Sequence, residues 1–294
     1  MKVLNLDPHF IVDDEACVIE HKLFTFPGGE PHIKLANPEE LNGEKVIISH
    51  RITSFNKIGE VLVAADALRN ADVSEISLFI PYLPGARQDR VAVPGEALTV
   101  KVYTDIINSQ NFKIVAILDA HSDVAPALLD NCTSVNNYDF VEKALEQLGT
   151  VTDPILISPD AGANKKIKDL CVYLNKKGLI RTIVKCDKSR DVKTGSIDGF
   201  EVYADNLEGR TCIIVDDICD GGGTFVGLAE ELKKKGAGDI HLIVTHGIFS
   251  KGWEPFTKLF KSITCTDSFK NIEFNDPDNK WPGFSVNQIK LKDI

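Results

Sequence analysis

Asp216, Asp217 and Asp220, followed by Gly221, Gly222, Gly223 and Thr224, put three carboxylates and a glycine turn within nine consecutive positions. Their chemistry is specific in kind. A glycine turn that opens a helix leaves backbone N–H groups unpaired and converging, which suits a phosphate. Carboxylates accept hydrogen bonds from sugar hydroxyls. A ligand with both a phosphate and a vicinal diol, a ribose phosphate, matches the set.

Cations and metal-ligating groups recur elsewhere. Lys188 and Arg190, two apart on an extended segment, are expected to point the same way. With residues 191–195 behind them they read as a mobile loop carrying two cations. Such a pair can neutralise the charge that develops on a transferring phosphoryl group. Arg87 and Arg90 add charge for a polyphosphate. Asp119, His121 and Asp160 mix carboxylate with imidazole, a donor set for Mg2+ completed by water and phosphate oxygens. The chain has no Walker A sequence and no G-x-G-x-x-G turn.

The elements that must hold these groups alternate. The apolar runs 46–49, 76–80, 114–118, 155–157, 182–184, 212–215 and 240–244 read as strands buried on both faces. Helical periodicity covers 58–70, 98–109, 140–148, 165–176 and 225–235. Strands and helices of these lengths in alternation predict an α/β chain of doubly wound, mainly parallel sheets. Ligands of such sheets sit beyond the carboxyl ends of the strands. The clusters 87–90, 119–123, 158–160, 187–190 and 216–224 all follow strand-like runs. The polar stretch 133–138 reads as irregular, which divides the chain into domains 1–137 and 138–294.

At 294 residues, two domains of ordinary size fit. A net charge of -10 argues against a nucleic-acid surface, and the absence of a long apolar run argues against a membrane span. The 7 cysteines include no C-x-x-C pair and read as reduced thiols of a cytoplasmic protein. Trp253 and Trp281 read as ordinary packing residues.

Taken together, Phe26-Pro27-Gly28-Gly29-Glu30, Ile80-Pro81-Tyr82, Ala86-Arg87-Gln88-Asp89-Arg90, Asp119-Ala120-His121-Ser122-Asp123, Ser158-Pro159-Asp160-Ala161-Gly162, Asp187-Lys188-Ser189-Arg190, the 215–224 loop and Thr245-His246-Gly247-Ile248-Phe249-Ser250 resemble the ribose-phosphate pyrophosphokinases, or PRPP synthetases. The resemblance covers roughly residues 20–250 and implies two phosphoribosyltransferase-like domains. It implies that Arg87, Gln88 and Arg90 hold ATP, with Phe26 and Glu30 reaching the adenine from a neighbouring subunit. It likewise implies Mg2+ on His121 and Asp160, catalytic roles for Lys188 and Arg190, and ribose 5-phosphate on Asp216, Asp217 and the loop from Asp220 through Gly221, Gly222 and Gly223 to Thr224. The shared ATP site implies a homo-oligomer, at least a dimer, with a hexamer as a candidate size.

Departures from the family pattern matter too. Gly221 stands where a threonine is usual, so a hydroxyl is lost and space is expected to open. That leaves a second acceptor in view, a ribose with a substituted 5-phosphate such as ADP-ribose, which would tie the protein to nicotinamide nucleotide metabolism. Gly28 replaces a usual acidic residue, and Asn42 and the loop 91–96 lack arginines of the family's regulatory site. The first and C-terminal helices of the family have no clear counterpart, so control through that regulatory site is not expected. A non-catalytic regulatory relative is a further alternative, disfavoured by the presence of His121, Asp160, Lys188 and Arg190. A phosphoribosyltransferase, sharing only the aspartate–glycine loop, is the remaining one.

Overall fold

A computed structural model describes residues 1–11, 13, 17–190 and 197–294; the side chains of 189, 190, 197 and 198 fall outside that description. The chain divides into two compact units. The first comprises Met1–Asn136 with Ser268–Asn271 and Lys290–Lys292, and the second comprises Asn137–Asp267 with Ile272–Ile289 and Asp293–Ile294.

The first unit runs β1 (Lys2–Asn5), β2 (Cys17–Val18), β3 (His21–Thr25), β4 (Pro31–Leu35), β5 (Lys45–Ser49), α1 (Phe55–Asn70), β6 (Glu75–Phe79), α2 (Thr99–Asn108), β7 (Val115–Leu118), α3 (Val124–Leu128) and β8 (Cys132–Val135). Its sheet has the order β2-β1-β5-β6-β7-β8, and every pairing is parallel. Strand residues Leu4, Ile48, Leu78 and Ile117 share one core with Val61, Ala65 and Leu68, which recur at helical spacing along α1. β3 and β4 form a separate antiparallel hairpin. Gly59 of α1 lies where a Cβ would come within 3.1 Å of Pro31 in β4, so a small residue lets the helix meet the hairpin.

The second unit runs α4 (Tyr138–Gln147), β9 (Ile155–Ser158), α5 (Asn164–Lys176), β10 (Thr182–Arg190), β11 (Ile197–Val202), β12 (Cys212–Cys219), α6 (Gly223–Lys234), β13 (Ile240–Gly247), β14 (Ser262–Thr266) and β15 (Ser285–Ile289). The sheet order is β11-β10-β9-β12-β13-β14-β15, parallel except where β11 turns back on β10. Alternate residues of a strand face opposite sides, and here both sides are apolar. Ile214, Leu242 and Ile263 pack with Leu228 and Leu232 of α6. Ile213, Ile243 and Leu156 pack on the other face with Val141 of α4 and Leu170 and Leu174 of α5. Each such buried side chain contributes about 2 kcal/mol of burial free energy.

The α/β, mainly parallel architecture is the one expected. Some elements differ. The stretch 133–138, expected to be irregular, instead contributes β8 and the start of α4. Thr133, Ser134 and Val135 are exposed on an edge strand, so no apolar alternation marks it. The strand expected over 212–215 continues to Cys219, and the one expected over 182–184 continues to Arg190. All seven cysteines are free thiols, five of them buried. Trp253 and Trp281 pack, partly buried, against the second unit's apolar core. Among the described residues no helix is long and apolar enough to cross a membrane.

Candidate active site

From β9 the chain moves outward to β10 and β11, then crosses back to β12 on the other side of β9. The gap between β9 and β12 is therefore the switch point of the second sheet, where crossovers leave in opposite directions and open a crevice. The polar residues after β9 and along β12 gather there.

Asp160 follows β9. Its Oδ1 accepts from the N–H of Ala163 at 3.0 Å, and its Oδ2 pairs with Nζ of Lys188 on β10. Burial alone would raise the Asp160 pKa, but the Lys188 ammonium and the backbone N–H groups outweigh it and hold the carboxyl below its ordinary value. Lys188 itself lies opposite Phe200 in the antiparallel β10–β11 pair. It thus lies on the extended segment expected for it, which is strand rather than loop as far as Arg190. The β10–β11 register shifts between Ser189 and Arg190. The Arg190 side chain and residues 191–196 lie outside the described residues.

Asp216 and Asp217 lie on β12 rather than after it. The Asp217 N–H donates to Asp216 Oδ1 at 2.9 Å, and the two carboxyls are hydrogen-bonded to each other. Burial pushes the Asp216 pKa well above the ordinary carboxylate value; the charges of Asp217 and, less strongly, Asp160 push it further.

Asp220 and Gly221 lead into α6, whose cap is Gly222 at φ 78°, a left-handed conformation that glycine adopts without steric cost. A Cβ at Gly222 would also lie 2.2 Å from the ring of the buried Phe256. No side chain caps α6, so Gly223, Thr224 and Phe225 begin a helix whose first N–H groups lack intrahelical partners. The space expected at Gly221 is not empty. Cε of Lys251 lies 3.3 Å from where a Cβ would be. Gly223 alone of the three glycines has nothing within 4 Å of that point.

In the first unit, Arg87, Gln88 and Arg90 occupy the loop between β6 and α2. Gln88 Nε2 donates to the Arg90 carbonyl at 3.3 Å and to Glu96 Oε2 at 3.4 Å. The same Glu96 oxygen accepts the N–H groups of Ala92 and Val93, tying the loop 88–96 into one turn. Phe26 and Glu30 lie on the separate β3–β4 hairpin turn, closed by the Phe26 N–H to the Glu30 carbonyl at 2.9 Å. Phe26 is 48% exposed and packs edge-on against Phe24 and at a tilt against His32. Gly28 lies where a Cβ would meet the Glu30 carboxylate at 2.6 Å, so its smallness lets that carboxylate fold over the turn. His121 is exposed just after β7, next to the buried Asp119, which holds a positive φ of 46°. Among the described residues no three His, Cys, Asp or Glu side chains gather closely enough to hold a metal by themselves.

Lys251 follows Ser250, the last residue of the motifs set out above, just beyond the carboxyl end of β13.

The switch-point carboxylates and glycine turn define a phosphoribosyltransferase-type domain, and the chain matches the phosphoribosyl transferase domain family over residues 140–279. Residues 15–110 match the N-terminal domain of ribose phosphate pyrophosphokinase. The ribose-phosphate pyrophosphokinase of Cereibacter sphaeroides is 34% identical over 240 residues, covering 79% of this chain and 69% of that one. That of Aquifex aeolicus is 32% identical over 237 residues, covering 77% and 71%. The crystal structure of phosphoribosylpyrophosphate synthetase from Mycobacterium smegmatis shares the fold, with a TM-score of 0.77, 20% identity and coverage of 99% and 95%. This chain belongs to the ribose-phosphate pyrophosphokinase family, a family of diphosphotransferases.

Proposed function

We propose that this chain transfers the β,γ-diphosphate of ATP to the anomeric hydroxyl of ribose 5-phosphate, giving PRPP and AMP. The observation that carries the reading is the second unit's switch point, where Asp160, Lys188, Asp216 and Asp217 meet an uncapped, glycine-opened helix. In the reaction the anomeric oxygen bonds to the β-phosphorus, the bond from the α,β-bridging oxygen to that phosphorus breaks, and the hydroxyl proton leaves to solvent.

Asp216 and Asp217 are suited to accept the ribose hydroxyls. Two adjacent carboxyls offer several oxygens on one strand, which matches the two hydroxyls of a diol. The first-turn N–H groups of α6 are suited to the 5-phosphate. Lys188, with Arg190 as its partner, supplies positive charge to the diphosphate as it transfers. Arg87, Gln88 and Arg90 are the proposed ATP-binding residues. The exposed ring of Phe26, with Glu30 on the same turn, supports an adenine contact made in a neighbouring subunit of a homo-oligomer.

The donor set fits Mg2+ held largely by water and phosphate oxygens, since the Asp160, Asp216 and Asp217 charges burden one another. Each within its own unit, Asp160 and His121 are the proposed metal-ligating residues. Bound there, Mg2+ would neutralise phosphate charge.

The test is AMP release from Mg-ATP with ribose 5-phosphate and, in parallel, ADP-ribose. Turnover with ribose 5-phosphate is expected, and its absence would overturn the proposal. The relatives do not favour ADP-ribose, and the space expected at Gly221 is taken by Lys251.

A further inference from the structure

We infer that Lys251 is an additional phosphate-binding residue, which places its ammonium on the 5-phosphate where the family's usual threonine would place a hydroxyl; this rests on the substrate reading above. Three observations meet at this lysine.

The first is that its backbone is fixed to the loop. Ile248 and Phe249 donate their N–H groups to the Cys219 carbonyl at 2.9 and 3.1 Å, and Ser250 donates to the Asp220 carbonyl at 3.2 Å. Phe249 takes a left-handed φ of 48°, a strained conformation for a phenylalanine, and its buried ring packs at 4.6 Å from Trp253. The Gly252 N–H closes the turn on the Phe249 carbonyl at 3.1 Å. The segment carrying Lys251 is therefore stitched to the entrance of the glycine turn.

The second is the course of the side chain. Its Cγ, Cδ and Cε lie 3.6, 3.4 and 3.3 Å from the point where a Cβ of Gly221 would stand. The stem runs alongside the loop at nearly constant separation, and Nζ, one bond beyond Cε, lies farther from that point than these three carbons, free to turn toward a ligand. A threonine at 221 would press on this stem, so the glycine and the lysine account for each other.

The third is charge. The ammonium has no carboxylate partner among the described residues. Asp216, Asp217 and Asp220 precede the turn, so a dianionic phosphate arriving there meets carboxylates as well as N–H groups. An ammonium offers a charge-assisted bond, roughly twice as strong as a neutral hydroxyl's.

The test is steady-state kinetics with Mg-ATP on Lys251→Ala, Lys251→Arg and the double variant Lys251→Ala/Gly221→Thr. Lys251→Ala is expected to raise KM for ribose 5-phosphate about ten-fold, the size of one charge-assisted bond. KM for ATP and thermal stability are expected to stay as they are. Lys251→Arg should retain affinity, and the added threonine should recover part of it. An unchanged KM for ribose 5-phosphate in Lys251→Ala, or an equal rise for ATP, would overturn the inference. If the wild type released no AMP, the substrate reading would fail by itself. Lys251 would then be judged by inorganic phosphate, which should raise the wild-type melting temperature but not that of Lys251→Ala; equal protection would overturn it.

Discussion

In the first unit Arg51 closes on Asp7, in the gap between β1 and β5 where that sheet changes direction; in the second, Lys188 closes on Asp160 beside the gap between β9 and β12. Both are aspartate–cation pairs at the carboxyl ends of parallel strands, yet their surroundings differ. Arg51 Nε meets Asp7 Oδ2 at 2.6 Å, Nη1 meets Asn271 Oδ1 at 2.8 Å, and the guanidinium lies 5.2 Å from the Phe10 ring centre. Nearby, His50 Nε2 lies 2.9 Å from Glu60 Oε2. Burial works against ionised Asp7 and Glu60, but their partners outweigh it and both pKa values fall. At the second switch point Asp216 is driven the other way, by burial and by Asp217. The same architecture thus lowers the carboxyl pKa values of Asp7 and Glu60 at one switch point and raises that of Asp216 at the other. Strained charge is retained where a ligand can relieve it.

The comparison can be broken most directly at Lys188. Lys188→Ala is expected to lower kcat by about 1,000-fold, because it removes charge that stabilises the transferring phosphoryl group. The melting temperature should move by no more than about 2 °C. Early melting with near-normal turnover would make Lys188–Asp160 a structural pair like its counterpart.

Arg51→Ala should do the reverse. Removing the guanidinium from half-buried Asp7, which keeps the His9 N–H, costs about 2 kcal/mol, or roughly 5 °C in melting temperature, with kcat of the folded protein within about two-fold. The folded Asp7 pKa is depressed below 3.8, so its stabilisation is present above that value and lost as pH falls through the folded pKa. Wild-type and variant melting curves should therefore converge in strong acid. A constant gap down to the lowest pH would count against the ion pair as the cause.

The smallest effect is expected at Asp216. Its raised folded pKa means that the native state holds a proton the unfolded chain has released, so stability falls as pH rises above about 4. Asp216→Asn should then gain about 1 kcal/mol, ~3 °C, at pH 8 and nothing near pH 3. An equal gain at both pH values would sharpen the comparison differently, making packing rather than charge the source of strain.

Much of this was legible in the residues themselves. Ile213, Ile214 and Val215, β-branched and apolar in succession before a glycine turn, read as a strand covered on both faces, so the layered α/β plan follows from local pattern. The glycine turn before α6 reads equally directly, because its backbone needs are local. Pairing across the sheet is not local. β8 carries Thr133 and Ser134 exposed and exists because β7 pairs with it, and β10 continues to Arg190 because β11 returns along it. Asp7 and Arg51 are 44 residues apart, and no spacing rule joins them.

What the sequence by itself determined is therefore the class of fold, the strand ends at which polar residues gather and the residue types proposed for phosphate and diol. The tertiary structure alone decided which charged groups meet and in which direction burial and neighbours shift them. It closed Arg51 on Asp7, set Asp216 against Asp217 and laid Lys251 across the space beside Gly221. The reason is physical: backbone conformation answers to neighbours in the chain, whereas desolvation and charge answer to neighbours in space.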